Sequence, residues 1–441
     1  MSKLTSDSEH LYMQVYHYYQ KRILDGSFPP EMKMPSLRRC AQELELSRTT
    51  VESAYLQLAA DGYIISRPQS GYYVTEIAQR PVSAPSRASA PQIPVRFDFA
   101  SSGVDRESFR FDLWRRYLKS ALRQDERLLT YGEPQGERDF RETLAEYVKK
   151  QRNILCEPED IVVGAGVQSL LHILCPLLRT KKTVSFPTRS FLQGISVFQD
   201  YGFEVFYRNK NCDLIYVTPA HMTKWGEIMP VSRRLELIHH AQRQGSLILE
   251  DDFENEFVYL QKPTPSLHSL DGGRHVVYIG SFSRLLLPSI RISFMILPRP
   301  LSRAYQKVAF HYNQTASKAE QIALTQFIRD GHLASQTRRL RRLYSAKLKG
   351  LLEAVTDTFG TEVPLQIGSA GTSIALSLPK KEDPQGSPSD FPAFAGEHGI
   401  RIETLSQDSD FITLLLSCSA MPLEDFPSAC RTLKEVWELY V

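Results

Sequence analysis

Apolar side chains recur at helical spacing three times within the first 60 residues. The first stripe predicts a helix that ends at the Asp25-Gly26 pair, the second a short helix that Ser36 opens, and the third a helix that Ser47 can cap. Three helices are therefore expected before residue 62. The stripes of the first and third helices comprise Leu11, Val15, Tyr19 and Ile23, and Val51, Ala54, Tyr55 and Leu58.

Two short runs of aromatic and β-branched residues follow the third helix. Residues 63–65 and 72–74 each have the length and composition of a strand, and the turn between them contains Gly71. Three helices followed by a hairpin describe a winged helix-turn-helix, an α+β fold, for residues 8–76. In such a fold the second helix of the motif enters the major groove of DNA.

The periodic pattern stops between residues 77 and 95. This stretch contains four prolines, is otherwise rich in Ala and Ser, and carries no acidic residue. Because it cannot bury a core, we expect an extended, semi-stiff linker.

Beyond the linker, short β-branched runs alternate with helical stretches. This alternation is typical of a large α/β domain with a mostly parallel central sheet. From about residue 300 the pattern becomes helical and then mixed, which indicates a smaller C-terminal α+β lobe within residues 96–441. The strand candidates include residues 160–163, 183–186, 214–217, 247–250 and 276–279, and the helix candidates include 168–178 and 232–243.

Composition excludes several classes of protein but does not identify a binding partner. The chain carries a formal net charge of +3, and residues 1–75 hold eight Lys/Arg and eight Asp/Glu, so any nucleic-acid interface depends on where the charges lie. The six cysteines lack C-x-x-C spacing, which argues against a zinc site and a disulfide framework. The N-terminus lacks the apolar core of a signal peptide, and no apolar run approaches about 20 residues. We therefore expect a cytoplasmic protein without a metal.

The start of the third predicted helix carries the main candidates for reading DNA. Arg48 can bond to guanine bidentately, and the hydroxyl groups and the positive end of the helix suit phosphate. Arg38 on the preceding helix is placed for a backbone phosphate, and Gly71 at the wing tip permits close approach to the sugar-phosphate edge. The alternative is a small helical domain whose arginines are only solvated. The candidates are Arg38, Ser47, Arg48, Thr49, Thr50, Arg67, Ser70 and Gly71.

The same segment resembles the GntR family of regulators. The resemblance covers nearly all of residues 8–76 and implies sequence-specific operator binding as a dimer. It rests on Pro35-Ser36-Leu37-Arg38, Leu44-Glu45-Leu46-Ser47-Arg48-Thr49-Thr50-Val51, Ala54-Tyr55, Leu58, Gly62-Tyr63 and Ser66-Arg67-Pro68-x-Ser70-Gly71.

The remainder of the chain resembles the fold type I aminotransferases. Residues 8–76 (the head), the linker and residues 96–441 (the body) together resemble the MocR subfamily of regulators. The motifs include Tyr131-Gly132-x-Pro134-x-Gly136, Val163-x-x-Gly166-x-Gln168, Pro219-x-His221, Glu250-Asp251-Asp252-Phe253 and Gly280-Ser281-Phe282-Ser283-Arg284-x-Leu286-x-Pro288-x-x-Arg291.

The aminotransferase resemblance implies a site for pyridoxal phosphate, which those proteins hold as a Schiff base with a lysine. Asp251 matches the partner of the pyridine nitrogen. Ser281, Arg291 and the helix start after Gly166 match the phosphate ligands, and Tyr131 matches a residue that reaches the phosphate bound by the partner subunit. The implied binding positions are Tyr131, Val167, Gln168, Asp251, Ser281, Arg284 and Arg291.

The position of the lysine is occupied by Arg284. A guanidinium stays protonated and cannot condense with an aldehyde, so the resemblance gives no covalent cofactor and no transaminase activity. The position of the ring-hydroxyl tyrosine is Phe253, which has no donor, and the position of the ring-stacking aromatic is Arg189.

Two interpretations of this altered cofactor site, called the cleft below, stay open. In the first, Arg284, Arg291 and Arg189 bind a phosphate or another anion. In the second, the cleft is a relic whose arginines pair internally with acids such as Asp251 or Asp252.

The sequence as a whole predicts a DNA-binding transcriptional regulator with a catalytically inactive aminotransferase-like domain for effector binding and dimerisation. The expected partners are double-stranded operator DNA, a second copy of the chain and a small anionic or phosphorylated effector, with no membrane. One alternative is a pyridoxal-phosphate enzyme with a regulatory head, which Arg284 disfavours. Another is a dimerisation scaffold that senses no ligand.

Overall fold

The structure is a computed structural model with two units, Met1–Gln92 and Ile93–Val441. Most of the predicted linker, residues 77–93, lies outside the described residues. The structure describes residues 10–76, 94–100, 103–105, 107–258, 260, 264–368, 371–380 and 390–440.

The first unit has three helices followed by a hairpin, which confirms the predicted winged helix-turn-helix. Ser36 and Ser47 cap the second and third helices, since each hydroxyl accepts a hydrogen bond from the backbone N–H three residues on, at 3.2 and 3.1 Å. Tyr55 is fully buried at the centre of the unit's apolar core. The elements are α1 (Leu11–Leu24), α2 (Leu37–Leu44), α3 (Arg48–Ala60), β1 (Ile64–Arg67) and β2 (Gly71–Val74).

The wing strands are longer than the sequence predicts. β1 and β2 pair antiparallel until Arg67 faces Gly71, so the turn is reduced to residues 68–70. Gln69 and Gly71 take positive φ values of 59° and 108°, which lets so short a turn reverse the chain. Arg67 and Gly71 therefore belong to the strands at the wing tip rather than to a loop.

The second unit begins with a short strand and three helices and then builds a seven-stranded sheet. The sheet order is β4-β10-β9-β8-β7-β5-β6, and all strands run parallel except β10. This arrangement confirms the mostly parallel sheet, although β6 and β10 are not among the predicted strands. The helices of the unit are α4 (Phe111–Ala121), α5 (Asp125–Leu128), α6 (Arg138–Arg152), α7 (Val167–Leu177), α8 (Leu192–Asp200), α9 (Val231–Gln244), α10 (Leu267–Asp271), α11 (Arg299–Gln306), α12 (Lys318–Arg329), α13 (His332–Phe359), α14 (Phe391–Glu397) and α15 (Phe426–Tyr440). The strands are β3 (Phe97–Asp98), β4 (Ile161–Gly164), β5 (Thr183–Phe186), β6 (Glu204–Tyr207), β7 (Leu214–Val217), β8 (Leu247–Asp251), β9 (Val276–Ser281), β10 (Ser293–Ile296), β11 (Leu365–Ile367), β12 (Ser373–Pro379), β13 (Ile400–Arg401), β14 (Glu403–Gln407) and β15 (Phe411–Ser417).

The smaller lobe is an antiparallel sheet, in the order β11-β12-β15-β14, packed against helices. Buried residues of α13 up to Tyr344 belong to the core of the large lobe, and those from Leu348 onward belong to the core of the small lobe. β3 pairs with β13, so a segment near the start of the unit joins the small lobe. The lobe boundary thus lies inside α13 instead of near residue 300.

Candidate DNA-reading face and ligand cleft

The first turn of α3 presents polar side chains to solvent. Arg48 and Thr49 are exposed, and no side-chain partner of either is recorded within the described ranges. Ser47 is also exposed, but its hydroxyl caps the helix and lies 2.7 Å from the hydroxyl of Thr50. Among the described first-turn side chains, Arg48 and Thr49 therefore remain available for an external contact.

The turn between α2 and α3 positions this helix start. Glu45 ends α2 in the left-handed conformation, with φ of 55°, and α3 begins three residues later at Arg48. Arg38 lies in the first turn of α2 and is exposed, with no recorded partner for its guanidinium in the described part of the chain. Its placement one helix away from Arg48 agrees with a backbone-contacting role in a helix-turn-helix.

At the wing, the predicted DNA-contacting residues are engaged by neighbours. Arg67 pairs with Glu31, and its guanidinium lies 4.4 Å from the centre of the Tyr73 ring. The hydroxyl of Ser70 lies 2.7 Å from that of Tyr73. The charge of Arg67 is thus held in place and balanced by Glu31.

The positions implied for the cofactor lie at the carboxyl edge of the parallel strands. Asp251 ends β8, Ser281 ends β9, and Gly166 lies between β4 and α7. In open α/β sheets this edge is where ligands bind. Tyr131 lies in the segment before α6 and is fully exposed on this chain.

A cradle for an anion forms at the start of α7. Gly166 has φ of 98°, and a Cβ built there would lie 2.3 Å from Nη2 of Arg291, so only glycine lets the guanidinium lie across the helix start. Arg291 itself takes a positive φ of 51° and is exposed. Val167 and Gln168 form the first turn, whose amides and helix dipole favour a negative group. Ser281 accepts a hydrogen bond from Ser293 at 3.0 Å and completes this edge.

Asp251 is held by a side chain that the sequence does not reveal. The Tyr216 hydroxyl donates to Oδ2 of Asp251 at 2.5 Å. Burial raises the pKa of Asp251 to about 6, although the tyrosine bond opposes that rise. The carboxyl is therefore mostly ionised at pH 7, as a partner of a protonated pyridine nitrogen must be.

Arg284 does not point an unpaired guanidinium into the cleft. Its Nε donates to Oε1 of Glu254 at 2.6 Å, and its Nη1 donates to the carbonyl of Gly103 at 3.0 Å. Glu254 is buried, with 4% of its side chain exposed, and the side chain of Arg284 is only 11% exposed. Internal pairing is therefore observed for this arginine, with Glu254 as its partner.

The sequence-based alternative named the wrong acids for this pairing. Asp251 binds Tyr216, and Asp252 is taken by Arg152, whose Nε lies 2.6 Å from Oδ2 of Asp252. Asp251 ends β8 and Asp252 follows it, and each faces a partner from another element. The chain then turns at Glu254, which has φ of 59°.

The other two positions that differ from the aminotransferase pattern, Arg189 and Phe253, also contact neighbouring side chains. The guanidinium of Arg189 lies 5.0 Å from the centre of the Tyr207 ring at the outer strand of the sheet. Phe253 packs edge-on against His221, whose Nδ1 is 3.4 Å from Oε2 of Glu254. Arg189 thus lies against a ring of the outer strand, and Arg284 is held by Glu254.

The cleft fits a phosphorylated pyridine at two of its ends. The cradle at Gly166 and Arg291 suits the phosphate, and Asp251 suits the ring nitrogen. At the position that corresponds to the lysine, Arg284 is bound to Glu254 and supplies no amine.

Within the described residues, no group of three or more His, Cys, Asp or Glu is arranged to hold a metal ion. None of the described helices is both long and apolar enough to cross a bilayer.

A winged helix-turn-helix joined to an aminotransferase-like α/β unit defines the class: a DNA-binding transcriptional regulator with an aminotransferase-like domain. Residues 11–74 match the bacterial regulatory proteins of the gntR family, and residues 104–371 match aminotransferase class I and II. The chain belongs to the family of HTH-type transcriptional regulators that combine these two domains.

The sequence similarity to known regulators extends over both units. The uncharacterized HTH-type transcriptional regulator YdeL of Bacillus subtilis (strain 168) is 33% identical over 455 residues, covering 97% of each chain. The probable rhizopine catabolism regulatory protein MocR of Rhizobium meliloti is 30% identical over 373 residues, covering 77% of this chain and 76% of that protein. An archaeal alanine:glyoxylate aminotransferase superposes with a TM-score of 0.67 at 19% identity, covering 78% of this chain and 90% of that one. That structural likeness shows the fold alone.

Proposed function

We propose that this regulator is a cytoplasmic homodimer that reads its operator with α3 and uses its aminotransferase-like body to bind an anionic effector without catalysis. The observation that carries the proposal is the largely buried pair between Arg284 and Glu254, at 2.6 Å. A paired guanidinium is neither a nucleophile nor a base at accessible pH, so the body lacks the group on which transamination depends.

In this proposal the body binds its effector through the cradle at the start of α7. Arg291 and the first-turn amides hold a phosphate, Ser281 borders it, and Asp251 faces a cationic ring nitrogen. A vitamin B6 phosphate supplies an electron-withdrawing ring to enzymes that present a lysine. Here the same groups retain it non-covalently, and binding biases the spacing of the two head domains.

The regulator function is tested by a gel-shift titration of the purified protein against genomic fragments and bulk DNA at fixed salt. We expect at least one fragment to bind about 1,000-fold or more tightly than bulk DNA, the usual range for specific recognition. Equal affinity for all fragments would defeat the proposal.

A thermal unfolding series tests the effector site. Pyridoxal phosphate, pyridoxamine phosphate or inorganic phosphate at 100 times its Kd should stabilise the protein by about 2.7 kcal/mol, a shift of several degrees. The yellow absorbance of a covalent pyridoxal–lysine link should be absent. Replacement Gly166→Ala should remove the shift, because the new Cβ displaces Arg291.

Gly202→Ala is the matched control for that replacement. Gly202 also has a positive φ, 78°, but nothing lies within 4 Å of the position that a Cβ would take there. This replacement therefore adds a methyl group at another positive-φ glycine without a steric clash, and it should keep the ligand shift. An unchanged shift in Gly166→Ala would place the phosphate elsewhere.

A further inference from the structure

The connection between β6 and β7 is unusually short for its topology. Both strands run parallel to β5 and lie on either side of it. Only residues 208–213 join them. A crossover between parallel strands ordinarily takes a dozen or more residues and includes a helix that covers one face of the sheet. Here the crossover contains no helix, so that face is left uncovered beside β5.

The uncovered face forms a groove next to α9. Its volume is about 810 Å³, within the range of roughly 300–1,000 Å³ found for small-molecule sites. Ile215 and Val217 project from β7 on the face opposite to the fully buried Leu214, and Leu237 of α9 borders them. Met222 lies at one end. The floor is therefore apolar.

The rim of the groove is cationic. Arg208, Lys210, Arg233 and Arg243 line it together with a single acid, Glu236, which is already paired with Arg233 at 2.9 Å. Lys210 and Arg243 are exposed, and no side-chain partner of either is recorded in the part of the chain that the structure describes. An apolar floor under an excess of positive charge suits an amphipathic anion.

The backbone fixes one of these cations at the mouth. Arg208 takes a φ of 53°, which is uncommon for a residue other than glycine. Its backbone N–H donates to the carbonyl of Phe186 at 3.0 Å, and its Nε donates to the carbonyl of Pro187 at 3.3 Å. The tight crossover thus holds a guanidinium over the end of β5.

We propose that this groove is a second ligand site, which takes a small organic anion with an apolar body and a carboxylate or phosphate group. The site is separate from the cleft, because Gly166, Ser281, Arg284 and Arg291 are not among its lining residues. β7 borders both sites, because Ile215 and Val217 face the groove while Tyr216, on the opposite face, donates its hydroxyl to Asp251. The linker at 77–95 is a poor occupant, since it carries no acidic residue.

The proposal is tested with a matched pair of fluorescent probes on the full-length protein. Anilinonaphthalene sulfonate combines an apolar body with one negative charge, and phenylnaphthylamine has the same body without the charge. We expect one saturable molecule of the sulfonate per chain and at least about tenfold weaker binding of the neutral probe, as for loss of a charge-assisted contact. Equal binding of both probes, or binding without saturation, overturns the proposal.

Single replacements locate the site. Lys210→Gln and Arg243→Gln each remove one exposed rim charge and should weaken the sulfonate several-fold to tenfold, with unchanged thermal stability. Arg303→Gln removes an exposed charge on α11, outside the groove, and should leave the affinity unchanged. If the two rim variants bind like the control, the groove is not the site.

Competition separates the groove from a simple anion or nucleic-acid surface. A medium-chain carboxylate should displace the sulfonate, whereas millimolar inorganic phosphate and duplex DNA should not. Displacement by either of the latter overturns the proposal. Because the assay requires no operator, its failure is distinct from a failure of specific DNA binding.

Discussion

Replacing Glu254 by glutamine is expected to lower the free energy of unfolding by about 3–5 kcal/mol, the usual cost of removing one partner from a buried ion pair. Arg284 is 11% exposed, and its Nε lies 2.6 Å from the Glu254 carboxylate, so the substitution leaves a positive charge without compensation. Glutamine keeps the size of the side chain and tolerates the same backbone conformation. The loss is measured by urea denaturation at pH 7.

The double variant Glu254→Gln, Arg284→Met should recover most of that loss. With both charges removed, the site no longer buries an unpaired ion, and such replacements are often close to neutral. Glu236→Gln is the control, because its partner Arg233 is 71% exposed in the pair and the effect should stay below about 1 kcal/mol. A Glu254→Gln variant as stable as the control would show that Arg284 has another stable position.

The same variants decide between the two interpretations of the cleft. If Arg284 serves only its internal pair, millimolar phosphate should stabilise Glu254→Gln and the parent protein by equal amounts. If the guanidinium turns towards the cleft once released, phosphate should stabilise the variant more than the parent. The phosphate dependence therefore separates an arginine that has become structural from one that an effector can recruit.

Much of the fold was accessible from periodicity alone. The helices of the first unit and five strands of the large sheet fall within a few residues of their predicted bounds, because each is a periodic or β-branched run between clear breakers. β6 and β10 are four-residue runs whose identity depends on neighbouring strands rather than on local pattern. The lobe boundary inside α13 was also invisible, since one uninterrupted helical repeat serves both cores.

The site was predictable only as far as motif positions reach. Asp251, Ser281 and the start of α7 lie together because the carboxyl ends of parallel strands meet at one edge. The contacts that decide the chemistry are tertiary. Glu254 lies 30 residues from Arg284 in the chain and Tyr216 lies 35 residues from Asp251. In β7, Tyr216 occupies a core-facing position, so the pattern alone marks it as packing.

Replacing Arg48 by glutamine is expected to weaken binding to the operator by about 1–3 kcal/mol, or roughly 5- to 150-fold, the range for loss of a bidentate base contact. Arg48 is exposed in the first turn of α3, where a recognition helix faces base edges, and it is outside the cap formed by Ser47. The measurement is fluorescence anisotropy with an operator fragment and a scrambled duplex at several salt concentrations.

The salt dependence identifies which kind of contact is lost. A base-reading Arg48 gives a larger loss on the operator than on the scrambled duplex, whereas Arg38→Gln should weaken both equally and reduce the salt slope by about one. Lys21→Gln, an exposed cation near the end of α1, should change neither affinity beyond the small effect of net charge. Equal losses on both duplexes for Arg48→Gln would reassign Arg48 to the phosphate backbone and move sequence reading to Thr49 and its neighbours.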